Sequence, residues 1–241
     1  MSAPVFLVDA VPASGDFVLD GPEGHHAADV QRLQPGETLL LTDGSGTVAT
    51  ARVTHTERGS LRLDILEQHT VPAPDPKLTV VQALPKGDRG ERAVQMLTEI
   101  GVDEVIPWAA SRSIVQWKGP RGDKARAKWT ATAREASKQA RRPRLAHVAE
   151  LHTTRQLVAR LRNASQVLVL HEEADLPLSQ VALPAAGEIA VVIGPEGSIS
   201  PDELNALKEF GEPIRLGDTV LRTSTAGPAA LAVLQARLGR W

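Results

Sequence analysis

Through its first 70 residues the chain sets short apolar or alternating runs between turn residues, a period of two that predicts strands at 5–8, 17–19, 37–41, 47–54 and 61–68. Asp43-Gly44-Ser45-Gly46 lies between two of these runs as a hairpin loop, its glycines free to take positive φ. A helix is expected over residues 26–33, stopped by Pro35-Gly36. These elements predict a small β-barrel over residues 1–71. Pro72, Pro74 and Pro76 make residues 69–77 an extended spacer, and the domain boundary is placed there.

Beyond the spacer the rhythm changes. Strands at 78–84, 104–108, 167–170, 188–193 and 213–216 interleave with helices, which predicts an α/β domain over residues 72–241 built on a parallel sheet covered on both faces. Asp88 and Glu91 are read as the cap of a helix whose Val94, Leu97 and Ile100 share a face and which Gly101 ends. Ser200 as N-cap, Pro201 at the first position and Glu203 completing a capping box open another, with Leu204, Leu207 and Phe210 inward and Gly211 as its stop. The closing helix starts near residues 223–225 and packs through Leu231, Leu234 and Leu238, with Pro228 assigned to its first turn.

Two stretches flank the second of these helices. Val191-Val192-Ile193-Gly194-Pro195-Glu196-Gly197-Ser198 and the run from Arg215 to Ala226 each begin as β-prone sequence and break at glycine. A parallel strand does this at the carboxyl edge of an open α/β sheet, where such sheets bind ligands. The loops lack the Gly-Lys-Ser/Thr of a phosphate-binding loop, the G-x-G-x-x-G of a dinucleotide site and the G-x-S-x-G of a nucleophile elbow. The seven histidines have no metal-site spacing, so no metal is expected. By elimination the loops suit a neutral or cationic small molecule held largely by backbone groups.

Composition narrows the setting. Of 241 residues, 42% are apolar and 23% charged, ordinary values for a globular protein. The absence of cysteine suits a cytoplasmic protein. The N-terminus has no signal-peptide pattern and no apolar run approaches the ~20 residues of a membrane span, so no membrane partner is expected. Charge, however, is uneven: from Arg112 to Arg144 eleven basic residues face two acidic ones, on a chain whose net charge is −2. A one-signed block of this kind is the footprint of a phosphate backbone, although a solvated helix face has the same look. Its middle is expected to be helical, burying Ala125, Trp129, Ala133, Ala136 and Ala140 and displaying Lys124, Lys128, Arg134, Lys138 and Arg142.

Lys86-Gly87-Asp88, Thr98-Glu99-Ile100-Gly101-Val102, Ile193-Gly194-Pro195-Glu196-Gly197 and Leu216-Gly217 with Val220-Leu221-Arg222-Thr223 resemble, in order and spacing, the RsmE family of ribosomal RNA methyltransferases in the SPOUT superfamily. The resemblance covers nearly the whole chain. It implies a PUA-like barrel before a SPOUT domain with a C-terminal trefoil knot, a homodimer, S-adenosylmethionine as cofactor, and methylation of uridine N3 in 16S ribosomal RNA of the small subunit. Carried over by residue, it places the cofactor against Leu170, His171 and Glu172, against Ile193, Gly194, Pro195, Glu196 and Gly197, and against Leu216, Gly217, Val220, Leu221 and Thr223. It puts Arg222 and Glu196 beside the reacting centre and RNA against Lys86, Arg112, Lys138, Arg141 and Arg142.

Arg222 suits the charge that builds on the uracil oxygens, while Asp218 offers it a purely structural partner. Glu196 either accepts the N3 proton or orients its neighbours. Many members have glycine where Ser198 stands and glutamate where Ser224 stands, so no role of that glutamate transfers. Two other readings are a SPOUT enzyme for another rRNA or tRNA site and an RNA-binding protein without catalysis.

Overall fold

The computed structural model describes residues 3–241 and divides into two compact units, Met1–Ala73 with Ser137–Leu145, and Pro74–Ala136 with Ala146–Trp241. In the smaller unit, strands β1 (Val5–Leu7), β2 (Gly15–Leu19), β3 (Thr38–Thr42), β4 (Thr47–Glu57) and β5 (Ser60–Thr70) form one sheet in the order β1-β3-β4-β5-β2. Only β1 and β3 run parallel. The inward period-two positions Phe6, Leu39, Leu41, Leu61 and Leu63 are fully buried. Register shifts at Thr50/Ala51 and Val53/His55 mark irregularities of the kind that bend a strand pair around such a core. The helix expected from residue 26 starts earlier. Helix α1 (Gly21–His25) runs into a π-helical turn at His26–Val30, and Arg32, at φ 57°, ends it.

In the larger unit β6 (Lys77–Ala83), β7 (Glu104–Ala109), β8 (His147–Val148), β10 (Gln166–Leu170), β11 (Glu188–Ile193) and β12 (Glu212–Ile214) lie in the order β12-β10-β11-β6-β7-β8, all parallel, and β9 (His152–Thr153) also pairs with β7. Alternate residues of one strand serve opposite layers. Ile189, Val191 and Ile193 meet α2 (Arg89–Ile100), α3 (Gly119–Gln139) and α6 (Thr223–Arg237) in one core, while Ala190 and Val192 join α4 (Thr154–Leu161) and α5 (Pro201–Lys208) in the other. Burial on both faces is why these strands read as unbroken apolar runs.

Local signals held at several helix ends. Gly101 is left-handed at φ 106°, and Val102 N–H returns to the Leu97 carbonyl to close α2. Ser200 and Glu203 form the reciprocal box at the start of α5, with Pro201 at its first position. Two readings need correction. Asp88 makes no cap bond, because its carboxylate pairs with Arg92 at 2.7 Å and Glu91 pairs with Lys128 at 2.8 Å. Pro228 falls six residues into α6 rather than in its first turn, so the Ser224 carbonyl has no N–H four residues on to receive.

Helix α3 buries Trp129, Ala133 and Ala136 as expected, but Ala140 lies beyond its end and is exposed. Lys138 also departs from expectation. Its side chain is 6% exposed and its ammonium meets Glu23 at 2.9 Å inside the smaller unit, so it is not displayed outward for RNA. The segment that follows is stitched into that unit by one backbone and one side-chain donor: Leu145 N–H to the Gly44 carbonyl at 2.9 Å, and Arg144 Nη2 to the Val71 carbonyl at 2.8 Å. A division of the chain at one point in the proline spacer makes no provision for this return.

The amino edge of the large sheet is closed by charge. Arg160 donates to Glu188 at 2.8 and 2.9 Å and to Glu104 at 2.8 Å, and Lys77 reaches Glu104 at 2.6 Å. Burial acts to raise both carboxyl pKa values, but these cations, with Thr79 on Glu188, outweigh it and hold them below the ordinary range.

Candidate active site

At the opposite, carboxyl edge, the loops after β10, β11 and β12 and the first turn of α6 enclose a cleft of about 820 Å³. That is the size of a pocket for a drug-sized or cofactor-sized ligand. Leu170, His171 and Glu172 line it from the first loop, Ile193 to Gly197, with Glu196 among them, from the second, and Leu216, Gly217, Val220, Leu221 and Thr223 from the third, joined by Arg222. The two glycine-broken stretches therefore meet in one place. Glycine is required where the backbone turns back on itself: a Cβ on Gly194 would stand 2.7 Å from Ile199 Cγ1, and Gly217 sits at φ 146°. Ser198 takes φ 63° without being glycine, a conformation that costs an L residue and that glycine adopts freely.

Glu196 is not free. Its Oε1 accepts from Lys86 N–H at 3.1 Å and from Arg89 Nη1 at 3.0 Å, which ties the Gly-Pro-Glu-Gly loop to the start of α2. Partial burial works to raise its pKa, yet these donors, its own backbone N–H and the Arg89 charge hold the carboxyl below the ordinary range. Arg112 braces the same loop from the other side, donating from Nη1 to the Gly197 carbonyl at 3.1 Å. Sequence reasoning passed over Arg89, which also lines the cleft, because nothing within four residues of it signals a partner 107 positions away.

Behind the loop stands Glu203, 6% exposed. It accepts from Ser111 N–H, Ser111 Oγ, Thr154 Oγ1 and Ser200 Oγ, each at 2.8 Å. Burial again acts to raise its pKa and the four donors lower it below the usual value. A residue legible only as half of a capping box thus joins the end of β7, the start of α4 and the exit of the Gly-Pro-Glu-Gly loop.

Arg222 is exposed, is the N-cap residue of α6, and has no side-chain hydrogen bond or ion pair with any described residue. The Asp218 carboxylate proposed as its structural partner instead takes Arg215 Nη1 at 2.9 Å. Beside Arg222, the Thr223 hydroxyl is buried and has no partner among the described residues. Buried polar groups are normally satisfied, so this hydroxyl is an exception, although its oxygen has almost no surface accessible from the cleft. Lys86 is exposed at the end of the β6 connection, and Arg141 and Arg142 follow α3 in the smaller unit.

Residues 72–235 match the RNA methyltransferase domain family and residues 19–66 the RNA methyltransferase PUA domain family. Ribosomal RNA small subunit methyltransferase E of Mycobacterium bovis is 45% identical, covering all of this chain and 94% of its own. The chain belongs to the ribosomal RNA small subunit methyltransferase E family. The Bacillus subtilis member is 30% identical over 90% of the chain and 89% of the relative. The Neisseria gonorrhoeae member, solved bound to S-adenosyl methionine, superposes with a TM-score of 0.86 at 26% identity over 98% of both chains. A putative methyltransferase from Legionella pneumophila, solved with the same cofactor, gives 0.83 at 28% identity and the same coverage.

Proposed function

We propose that the chain transfers a methyl group from S-adenosylmethionine to N3 of a uridine in 16S ribosomal RNA of the small subunit, as a cytoplasmic homodimer whose C-terminal loops form a trefoil knot. No metal takes part in this scheme. The observation that carries the reading is the meeting of the three carboxyl-edge loops in one cleft of cofactor size, with the unpaired guanidinium of Arg222 on its wall. Membership of the family and its cofactor-bound members supports the same donor.

The donor supplies an electrophilic sulfonium methyl. Leu170, His171, Glu172, the Ile193–Gly197 loop, the 216–221 loop and Thr223 would hold it through backbone and apolar contact. Uracil N3 must lose its proton, which passes to water, before or during attack, and as the N–CH3 bond forms the sulfur leaves as the neutral thioether of S-adenosylhomocysteine. Arg222 favours that loss by fixing the negative charge that spreads to the uracil oxygens, a match for a planar fork of donors. Glu196 is a poor acceptor for the proton, since Arg89 and Lys86 already hold it as a carboxylate. It serves as a positioning residue, setting Arg89 and the loop. A uridine normally stacked in RNA has to be turned out to reach the cleft, and Lys86, Arg112, Arg141 and Arg142 supply cations for its backbone.

The test is to incubate the protein and labelled cofactor with small subunits lacking the modification and to map the label. Arg222→Ala should lower kcat by about 10²–10³-fold, whereas Glu196→Gln should change it far less. Label on no uridine N3, or no heat on titration with the cofactor, would refute the reading.

A further inference from the structure

Three residues other than glycine take positive φ among those described, and two of them are arginines of the smaller unit at helix ends: Arg32 at 57° and Arg141 at 54°. Each occupies the position just past a helix, where glycine is the usual residue because a Cβ is strained there. After α3, Arg141 N–H returns to the Lys138 carbonyl at 3.0 Å and Arg142 N–H to Ser137 at 2.9 Å, the paired bonds of a left-handed helix stop. After the π turn, Leu33 N–H returns to the Ala27 carbonyl at 3.1 Å.

The backbone therefore asks for glycine twice, and arginine stands there twice. Neither guanidinium is used by the fold. Both residues are exposed, and neither side chain bonds to or pairs with any described residue. The attraction of a cation to a helix C-terminus is weaker than the left-handed strain and needs no arginine in particular. The setting sharpens the point: residues 1–73 hold ten carboxylates and four arginines, so the barrel on its own repels a polyanion. Lys138, which returns to this unit, is spent on Glu23.

We infer that Arg32 joins Arg141 as a phosphate contact by which the smaller unit holds RNA, both arginines being kept at glycine positions for the sake of their side chains. A guanidinium fork fits phosphate oxygens, and two such contacts let an acidic barrel grip a nucleic acid it would otherwise push away. The inference rests on an RNA substrate for this chain and adds which side chains of the small unit meet it.

Arg32→Gly and Arg141→Gly, singly and together, make strain and recognition move in opposite directions. Thermal unfolding of the full-length variants should hold or rise, by up to about 4 °C each. The Kd for unmodified small subunits should weaken several-fold per residue, and the slope of log affinity against log salt should fall by roughly 0.7–0.9 for each. Arg→Lys variants should recover most of the affinity and keep the lower stability. Affinity for S-adenosylmethionine, measured by calorimetry, should not change.

Unchanged RNA affinity and salt slope in the double glycine variant would overturn the inference, and so would lower stability. A loss seen with whole subunits but not with protein-free 16S RNA would assign the arginines to a ribosomal protein and overturn it too. Methyl transfer is scored separately: a chain that binds RNA through these arginines yet transfers no methyl would sink the activity and leave this result standing.

Discussion

Removing the Glu203 carboxylate should loosen the loop behind the cleft and the fold with it. Four donors at 2.8 Å converge on this side chain from three segments, and one of them, Ser111 N–H, cannot rotate to another partner. Hydrogen bonds to a buried charge contribute about 1.5–3 kcal/mol each before overlap, and stripping a buried charged partner costs about 3–5 kcal/mol in all. Glu203→Ala should therefore destabilise by about 3–5 kcal/mol, seen in urea as a lower midpoint at unchanged slope. Glu203→Gln keeps one acceptor oxygen and lets the serine hydroxyls turn, so about 1–2 kcal/mol is expected.

The pH dependence has a definite sign. The folded carboxyl sits below its unfolded value, so its contribution is complete above about pH 4.3 and is lost as pH falls through the folded pKa. Glu203→Gln should accordingly lose less stability than the parent on acidification. Because Ser111 precedes Arg112, whose guanidinium holds the Gly197 carbonyl, the Gln variant should also bind S-adenosylmethionine more weakly. An Ala variant within about 1 kcal/mol of the parent would show that the four bonds are net-neutral exchanges with water, and the account of this loop would fail.

Thr223→Val removes a buried hydroxyl that the protein itself leaves unpaired, so stability should hold or rise while cofactor affinity falls by about 3–10-fold in calorimetry; equal affinity would mean the hydroxyl faces no ligand. Ser198→Gly relieves a left-handed residue at φ 63° and adds chain entropy to the unfolded state, a balance of about 0 to +1 kcal/mol read by thermal unfolding. Arg160→Met strands Glu104 and Glu188 at the amino edge, where Lys77 remains as a second cation, so a loss of about 2–4 kcal/mol is expected at pH 7. Both carboxyls have lowered folded pKa values, so the difference between this variant and its parent should shrink as pH falls below about 4.5 and they protonate. A gap that widens in acid would reverse the assignment.

What the sequence made legible was whatever acts within a turn or two of the chain. The period of two found the strands of the barrel, the apolar runs found the central strands of the large sheet, and Ser200-Pro201-Asp202-Glu203 announced α5 with its cap. Glycines marked the two loops that meet in the cleft, because a strand that must turn sharply at a sheet edge has few other residues to use. The same local rules also misled. Asp88 and Glu91 have capping-box spacing, yet each has an arginine or lysine within reach, and an ion pair took the carboxylate the cap needed. Thr153 and Gln156 do form a reciprocal box, at a helix that short, mixed sequence around residues 147–161 did not announce.

The unreadable part is long-range, and it is the part that gives the site its chemistry. Glu203 meets Ser111 across 92 residues and Glu196 meets Arg89 across 107, distances over which no periodicity or spacing carries information. In both pairs the carboxylate lies on or just after the Gly-Pro-Glu-Gly loop and the donor comes from the end of an earlier strand or the start of the helix after it. Neighbouring parallel strands bring such ends together whatever their separation along the chain. In the order β12-β10-β11-β6-β7, strand β11 lies parallel to β6 with Ile193 opposite Gln82, so the loop carrying Glu196 leaves the sheet beside the connection carrying Lys86 and Arg89. A motif that reads as a loop with one acid is therefore, in three dimensions, a loop whose acid is already matched. That is why Glu196 is proposed as a positioning group, and why the unmatched Arg222, at the head of α6, is the charge proposed to act on a substrate.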